Sequence, residues 1–137
     1  MNWKVGDSAS VSKTITEDDI GRFAALTGDS NPVHLDEAFA GKTRFGRRIA
    51  HGMLAASLIS RAIGMELPGR GAIYLGQNLK FMAPVYPGDT ITARVTVSGI
   101  REDKPILTLQ TVCSNQASQT VIEGEAIVML MKPEEVA

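Results

Sequence analysis

His51-Gly-Met-Leu-Ala-Ala-Ser-Leu-Ile-Ser-Arg-Ala-Ile-Gly64 spreads Met53, Leu54, Ala55, Ala56, Leu58, Ile59, Ala62 and Ile63 over nearly every side of a helix. A helix apolar on so many sides belongs inside a core. Beyond Gly64 the pattern turns to strand. Ala72 to Phe81 lies between glycines and Pro84, and Thr90 to Ile100 sets Ile91, Ala93, Val95 and Val97 against Thr92, Arg94, Thr96 and Ser98. That alternation predicts a half-buried strand. Arg101-Glu-Asp-Lys104 is a polar turn, and two further strands are expected at Ile106 to Cys113 and Val121 to Met131, separated by Ser114-Asn-Gln-Ala-Ser118. In the last of these, Ile122, Ala126, Val128 and Leu130 share a face.

Adjacent strands joined by short polar turns and preceded by helices predict the α+β class with an antiparallel sheet. One face of that sheet must be covered, and residues 51–64 are the segment apolar enough to cover it. The expected architecture is therefore a sheet of five to six strands wrapped around a long buried helix, the hot dog fold.

Working back toward the start of the chain, Thr16-Glu-Asp-Asp19 opens a helix as a variant capping box, with Asp in place of Glu at the third helical position. Ile15 and Ile20 are placed as a hydrophobic staple, Ile20, Phe23, Ala24 and Thr27 form one face, and Gly28 suits the left-handed residue that ends a helix. A short surface helix is expected from Asp36 to Ala40, with Asp36 as its cap and Gly41 as its terminator.

The 137 residues fit one domain, 1–137, with a composition of 44% hydrophobic and 21% charged residues that is ordinary for a globular chain. Fourteen basic and fifteen acidic side chains leave a net charge of −1, so no overall field favours nucleic acid or an anionic membrane. Ser57, Ser60 and Arg61 interrupt the longest apolar run well short of a membrane span. The lone Cys113 cannot form an internal disulfide, and Met-Asn-Trp-Lys-Val-Gly-Asp lacks the apolar core of a secretory signal, so a cytoplasmic location is expected. Two histidines and one cysteine far apart in sequence match no zinc spacing, so no metal is expected.

The chemistry-bearing segment is Asp29-Ser-Asn-Pro-Val-His34, an acid, an amide and an imidazole around a proline that is expected to forbid a regular helix through them. His34 and His51 are the only histidines, so few other groups could move protons near neutral pH. Asp and Asn beside Pro are also ordinary turn formers, whose side chains bond nearby amides, so the residues alone leave both readings open. At Gly52 the buried helix starts, its first N–H groups lacking acceptors and carrying the positive end of the helix dipole. Glycine lets a ligand come close to that backbone, and such an N–H could hold a carbonyl oxygen as it gains negative charge. His51 reads as an N-cap or packing residue rather than a second base. An acid/base pair with a carbonyl-polarising N–H suits proton transfer beside a carbonyl, including addition or loss of water.

Asp29-Ser-Asn-Pro-Val-His34, with His51-Gly-Met-Leu-Ala-Ala-Ser57 starting 17 residues after His34, resembles the hydratase-2 motif of the MaoC-like (R)-specific enoyl-CoA hydratases. Tyr74-Leu-Gly-Gln-Asn-Leu-Lys-Phe81 and Pro84-Val-Tyr-Pro-Gly-Asp89 resemble the next strand and turn of that family, and Arg101-Glu-Asp-Lys-Pro105 resembles the short hydratases of polyhydroxyalkanoate synthesis. The similarity runs from about Val5 to Leu130. It implies a hot dog fold, a homodimer, an acyl-CoA thioester substrate and no cofactor beyond the CoA that the substrate carries. It also implies that Asp29 and His34 form the catalytic dyad, that Asn31 supports its geometry and that the Gly52 N–H polarises the thioester carbonyl. Ser60 matches a serine beside the active site in the short hydratases, although a helix hydroxyl can equally bond a carbonyl one turn back.

Where many relatives have proline before Ile-Ala-His-Gly, this chain has Arg48, within Lys42-Thr-Arg-Phe-Gly-Arg-Arg48. Four basic residues in seven could contact CoA phosphates or form a solvated loop. The expected activity is reversible syn hydration of trans-2-enoyl-CoA to (R)-3-hydroxyacyl-CoA. Its rivals are a 3-hydroxyacyl-ACP dehydratase and a non-catalytic acyl-CoA-binding module.

Overall fold

The apolar segment that begins at His51 forms a helix from Gly52 to Met65 in the computed structural model, which describes residues 2–136. In chain order the elements are β1 (Ser8–Thr14), α1 (Glu17–Thr27), α2 (Pro32–Leu35), α3 (Glu37–Gly41), α4 (Gly52–Met65), β2 (Ala72–Phe81), β3 (Thr90–Ile100), β4 (Ile106–Ser114) and β5 (Thr120–Leu130). A short 3-10 turn closes the series at Pro133–Glu135. The five strands form one antiparallel sheet in the order β1-β3-β4-β5-β2. β1 is the strand not anticipated from the sequence. Only its Val11 is buried, and it is attached to β3 partly through hydroxyl pairs, Ser12 with Thr92 and Thr14 with Thr90, each at 2.7 Å.

The predicted inward set of β3, Ile91, Ala93, Val95 and Val97, is at most 1% exposed. These side chains, with Leu107, Leu109 and Cys113 of β4 and Ile122, Ala126 and Val128 of β5, form one core with the buried face of α4. That face consists of Ala55, Ala56, Leu58, Ile59, Ala62 and Ile63. Small alanines alternating with branched residues let the helix lie close on the sheet. The helix is not buried all round. Met53, Ser57, Ser60, Arg61 and Gly64 make an exposed stripe at helical spacing along it.

α1 starts and stops as its sequence predicts. The Thr16 hydroxyl accepts the Asp19 N–H at 3.0 Å, Asp19 accepts the Thr16 N–H at 2.9 Å, and Gly28 ends the helix at φ 80°. Ile15 and Ile20 are both buried, as a staple requires. α3 is capped by Asp36, which accepts the Phe39 N–H at 3.0 Å, but it runs one residue further than expected, with Gly41 inside the helix and Lys42 as the cap. β2 carries a bulge between Tyr74 and Gly76 that leaves Leu75 as the extra residue.

Candidate active site

Asp29 comes directly after the left-handed Gly28, so the end of α1 delivers its carboxylate to a fixed place. Asp29 then accepts the Asn31 N–H at 3.3 Å, and Asn31 accepts the Val33 N–H at 3.2 Å. The second bond makes Asn31 the cap of α2, with Pro32 at its first turn. No helix runs through the whole of Asp29–His34, as expected, but the proline starts one rather than only breaking one. At the first helical position the missing N–H would have had no partner anyway, and the fixed φ of proline is already helical. His34 is thus held on a one-turn helix.

Residues from separate segments of the chain meet at this turn. His34 Nδ1 lies 2.8 Å from the Ile49 carbonyl oxygen, and His51 Nε2 lies 2.9 Å from the Asp29 carbonyl oxygen. A carbonyl has no hydrogen to give, so each of those nitrogens is the N–H donor. The other nitrogens, His34 Nε2 and His51 Nδ1, have no hydrogen-bond partner among the described residues. The two imidazoles stack with centroids 3.8 Å apart and planes 28° apart, while Phe23 packs against the His51 ring at 4.8 Å. Asp29, His34 and His51 bring ligand-capable atoms within 4.8 Å of one another. The fold therefore undoes the sequence separation used to argue against a metal cluster. Within that group His34 Nδ1 and His51 Nε2 are already engaged with backbone carbonyls, which leaves His34 Nε2, His51 Nδ1 and the Asp29 carboxylate as its ligand-capable atoms.

Gly52 is the first residue of α4, a helix of 14 residues, and its N–H has no hydrogen-bond acceptor among the described residues. It borders a cavity of about 480 Å³ that also touches His34, Arg44, Phe45, Met53, Phe81 and Met82. One cavity therefore holds the imidazole, the unpaired helix N–H and an apolar lining. The ring of Phe81 covers Gly52 so closely that a Cβ there would meet it at 2.6 Å.

Ser60 borders a different space from His34 and Gly52. It lines a second cavity of about 510 Å³ with Phe23, Ser57, Tyr74, Gln77 and Leu79, and Met53 borders both spaces. Its hydroxyl makes no hydrogen bond among the described residues, whereas Ser57 does bond back to the Leu54 carbonyl at 2.5 Å. In the same cavity Gln77 donates to the buried Thr111 hydroxyl at 2.9 Å, and the Tyr74 hydroxyl bonds Gln77. Burial raises the Tyr74 phenol above its ordinary range.

The basic loop divides. Arg48 is committed to acids, pairing with Glu17 of α1 and, at 2.5 Å, with Glu37 of α3. Arg44 lines the first cavity and lies over the Phe45 ring, and Arg47 lies 4.2 Å over the Tyr86 ring. Of these three arginines, the latter two have no acidic partner among the described residues and can meet an anion. The importance of the Ile49 carbonyl has no sequence signal, because any residue supplies one. His51 is visible in the sequence but reads there as a cap or packing residue. Its side chain makes no capping bond and is 2% exposed.

Comparison with known proteins finds relatives over most of the chain. The family described as MaoC like domain matches residues 6–120. An (R)-specific enoyl-CoA hydratase of Rhodospirillum rubrum is 54% identical over 127 residues, covering 93% of this chain and 88% of that protein. One of Aeromonas caviae is 51% identical over 93% of this chain and 95% of its own length. The solved (R)-hydratase from A. caviae involved in PHA biosynthesis superposes with a TM-score of 0.91 at 50% identity, over 94% of this chain and 98% of that one.

Proposed function

The chain belongs to the MaoC-like domain family, and from that membership together with the site geometry we propose that it is an (R)-specific 2-enoyl-CoA hydratase. It adds water reversibly and on one face to trans-2-enoyl-CoA, giving (R)-3-hydroxyacyl-CoA. The observation that carries this reading is that His34 and the unpaired Gly52 N–H border one cavity, with the Asp29 carboxylate grouped within 4.8 Å of the His34 and His51 ring nitrogens.

Each group has a task. Asp29 and the free Nε2 of His34 hold a water molecule and take its proton as its oxygen bonds to Cβ of the enoyl group. A proton then goes to Cα, and the C=C bond becomes single. Between these events the electron pair rests on the thioester oxygen as an enolate. The Gly52 N–H, at the positive end of α4, stabilises that oxygen more than it does the neutral carbonyl, which lowers the barrier. The Ile49 carbonyl holds His34 in the tautomer that leaves Nε2 available. The two protons are shared by a coupled pair. Acid, base and electrophile are all supplied by the chain, so we assign no cofactor beyond the CoA of the substrate.

Arg44, which lines the first cavity, and Arg47, which lies over the Tyr86 ring, are assigned to the phosphates of CoA, whose oxygens fit guanidinium forks. Ser60 and the second cavity are assigned to the acyl end, beyond Met53. We further assign a homodimer. β2 is the last strand of the sheet, with Leu75, Phe81 and Met82 half exposed on or beside it, and a second copy is the self-complementary partner for such an edge. Light scattering at micromolar concentration should then give twice the chain mass, and a single chain mass would remove the dimer. No described helix is long and apolar enough to cross a membrane. We assign the protein to the cytoplasm, a reading supported by its one thiol being buried and unpaired.

Loss of enoyl-thioester absorbance on crotonyl-CoA, with chiral analysis of the product, tests the function. An (S) product, release of free thiol, or strong preference for the matched acyl-carrier-protein substrate would each overturn it.

A further inference from the structure

We propose that His51 is a positioning residue of the hydration site, holding both halves of the dyad at once: its ring is the platform on which His34 lies, and its Nε2–H anchors the Asp29 backbone. This rests on the hydratase reading of Asp29 and His34.

The two contacts are made by one side chain in two directions. In the ring plane, Nε2 reaches the Asp29 carbonyl at 2.9 Å, across 22 residues of sequence. Perpendicular to the plane, one face carries His34 at 3.8 Å. Phe23 of α1 packs against the ring as well, at 4.8 Å and 56°. His51 also immediately precedes Gly52, so the backbone that aims the helix N–H begins at the residue that aligns the acid and the base.

A packing role alone does not account for an imidazole here. His51 is 2% exposed, and its Nδ1 is a buried polar atom without a partner among the described residues. An aliphatic or phenyl side chain would fill the space without leaving a buried lone pair unsatisfied, which costs free energy. Capping does not account for it either, because the side chain bonds no N–H of α4. What a phenyl ring cannot supply is the donor to the Asp29 carbonyl, and what an open-chain amide cannot supply is the aromatic face under His34. Imidazole supplies both. Holding reacting groups to within fractions of an ångström governs turnover more than it governs substrate affinity.

Three measurements test the role. Nitrogen-15 NMR of the ring atoms of the intact protein should show His51 protonated at Nε2 and bare at Nδ1, with His34 protonated at Nδ1. The opposite His51 tautomer would overturn the proposal whatever the activity. Second, His51→Phe should lower kcat on crotonyl-CoA about 10-fold or more while KM stays within about 3-fold. His51→Gln, which restores a donor toward Asp29, should recover part of that loss, and it carries the test if the phenylalanine variant does not fold. Third, in a His34→Ala background the same substitution should change the residual rate by less than about 2-fold, because a residue acting through the dyad has little left to act on. Unchanged kcat in both single variants, or an undiminished effect in that background, would overturn the proposal. Failure of wild-type hydration would instead overturn the hydratase reading and leave the tautomer result to stand separately.

Discussion

The ring of Phe81 rests on the α-carbon of Gly52, with Cε1 and Cδ1 at 2.6 and 2.7 Å from where a β-carbon would stand. No other residue type fits there without displacing the ring. The same packing that keeps position 52 glycine forms part of the lining of the first cavity, so the helix N–H and the cavity shape are set together.

Gly52→Ala should therefore push Phe81 outward or shift the start of α4. A misplacement of this size at a reacting group lowers kcat by about 10- to 100-fold. Gly52→Ala combined with Phe81→Leu should recover part of the loss, since the methyl then has room. Steady-state kinetics on crotonyl-CoA for the two variants and the double variant check this. A double variant no better than Gly52→Ala would show that the methyl acts on something other than the ring.

Asp29→Asn and His34→Ala should each reduce turnover by a factor on the order of 10² or more, with melting temperature nearly unchanged. Asp29 is exposed and His34 only half-buried, so neither supports the core. Near-normal turnover in either variant would remove that residue from the mechanism. Combining the two should cost little more than the worse single change, because residues that act as a unit are not additive.

Arg44→Ala should raise KM for crotonyl-CoA several-fold and leave kcat within about 2-fold, as loss of uniform binding does. The same substitution should not change kcat/KM on the crotonyl thioester of pantetheine, which lacks the nucleotide phosphates. An equal loss on both substrates would place Arg44 at the reacting end instead.

The core elements are legible in the sequence because their patterns are unambiguous. β3 alternates without a break over Ile91 to Val97, and α1 carries a capping box at one end and a glycine at the other. β1 is not legible. Ser8-Ala-Ser-Val-Ser-Lys-Thr14 buries one side chain and is identified as a strand only by its pairing with β3. The dyad is readable as residue types within six positions, but its support is not. His51 reaches Asp29 and His34 only after the sheet and α1 have placed them, and backbone carbonyls such as that of Ile49 leave no trace in sequence. The Arg48 pairs with Glu17 and Glu37 join residues 31 and 11 positions apart, and without them the loop reads as uniformly basic.

Cys113 lies between the sheet and α4, its Sγ 3.9 Å from the Ala55 carbonyl, and burial pushes its thiol up to about 12. The thiol is the inert form. Alkylation by iodoacetamide at neutral pH should be negligible in the native protein and complete in denaturant, as read by mass spectrometry. Prompt modification under native conditions would mean that the core opens locally at α4.

Asp19 connects the cap of α1 to a charge partner. Its carboxylate is held below the ordinary value of 3.8, first by the Lys13 ammonium at 2.8 Å and then by the Thr16 N–H at 2.9 Å. Both favour the ionised form in the folded state only. A carboxylate with a depressed folded pKa contributes stability that is fully present above its unfolded value and is lost as pH falls through the folded one. Asp19→Asn keeps the shape and removes the charge, so it should destabilise the protein by about 1 kcal/mol or less at neutral pH, given that the Lys13 side chain is 42% exposed. The difference from wild type should shrink as pH falls below the ordinary carboxylate range, where wild-type Asp19 also becomes neutral. It should also shrink in high salt, which screens the Lys13 pair. Urea melts of both proteins across acid pH measure it, and a difference independent of pH would assign the contribution to cap geometry alone.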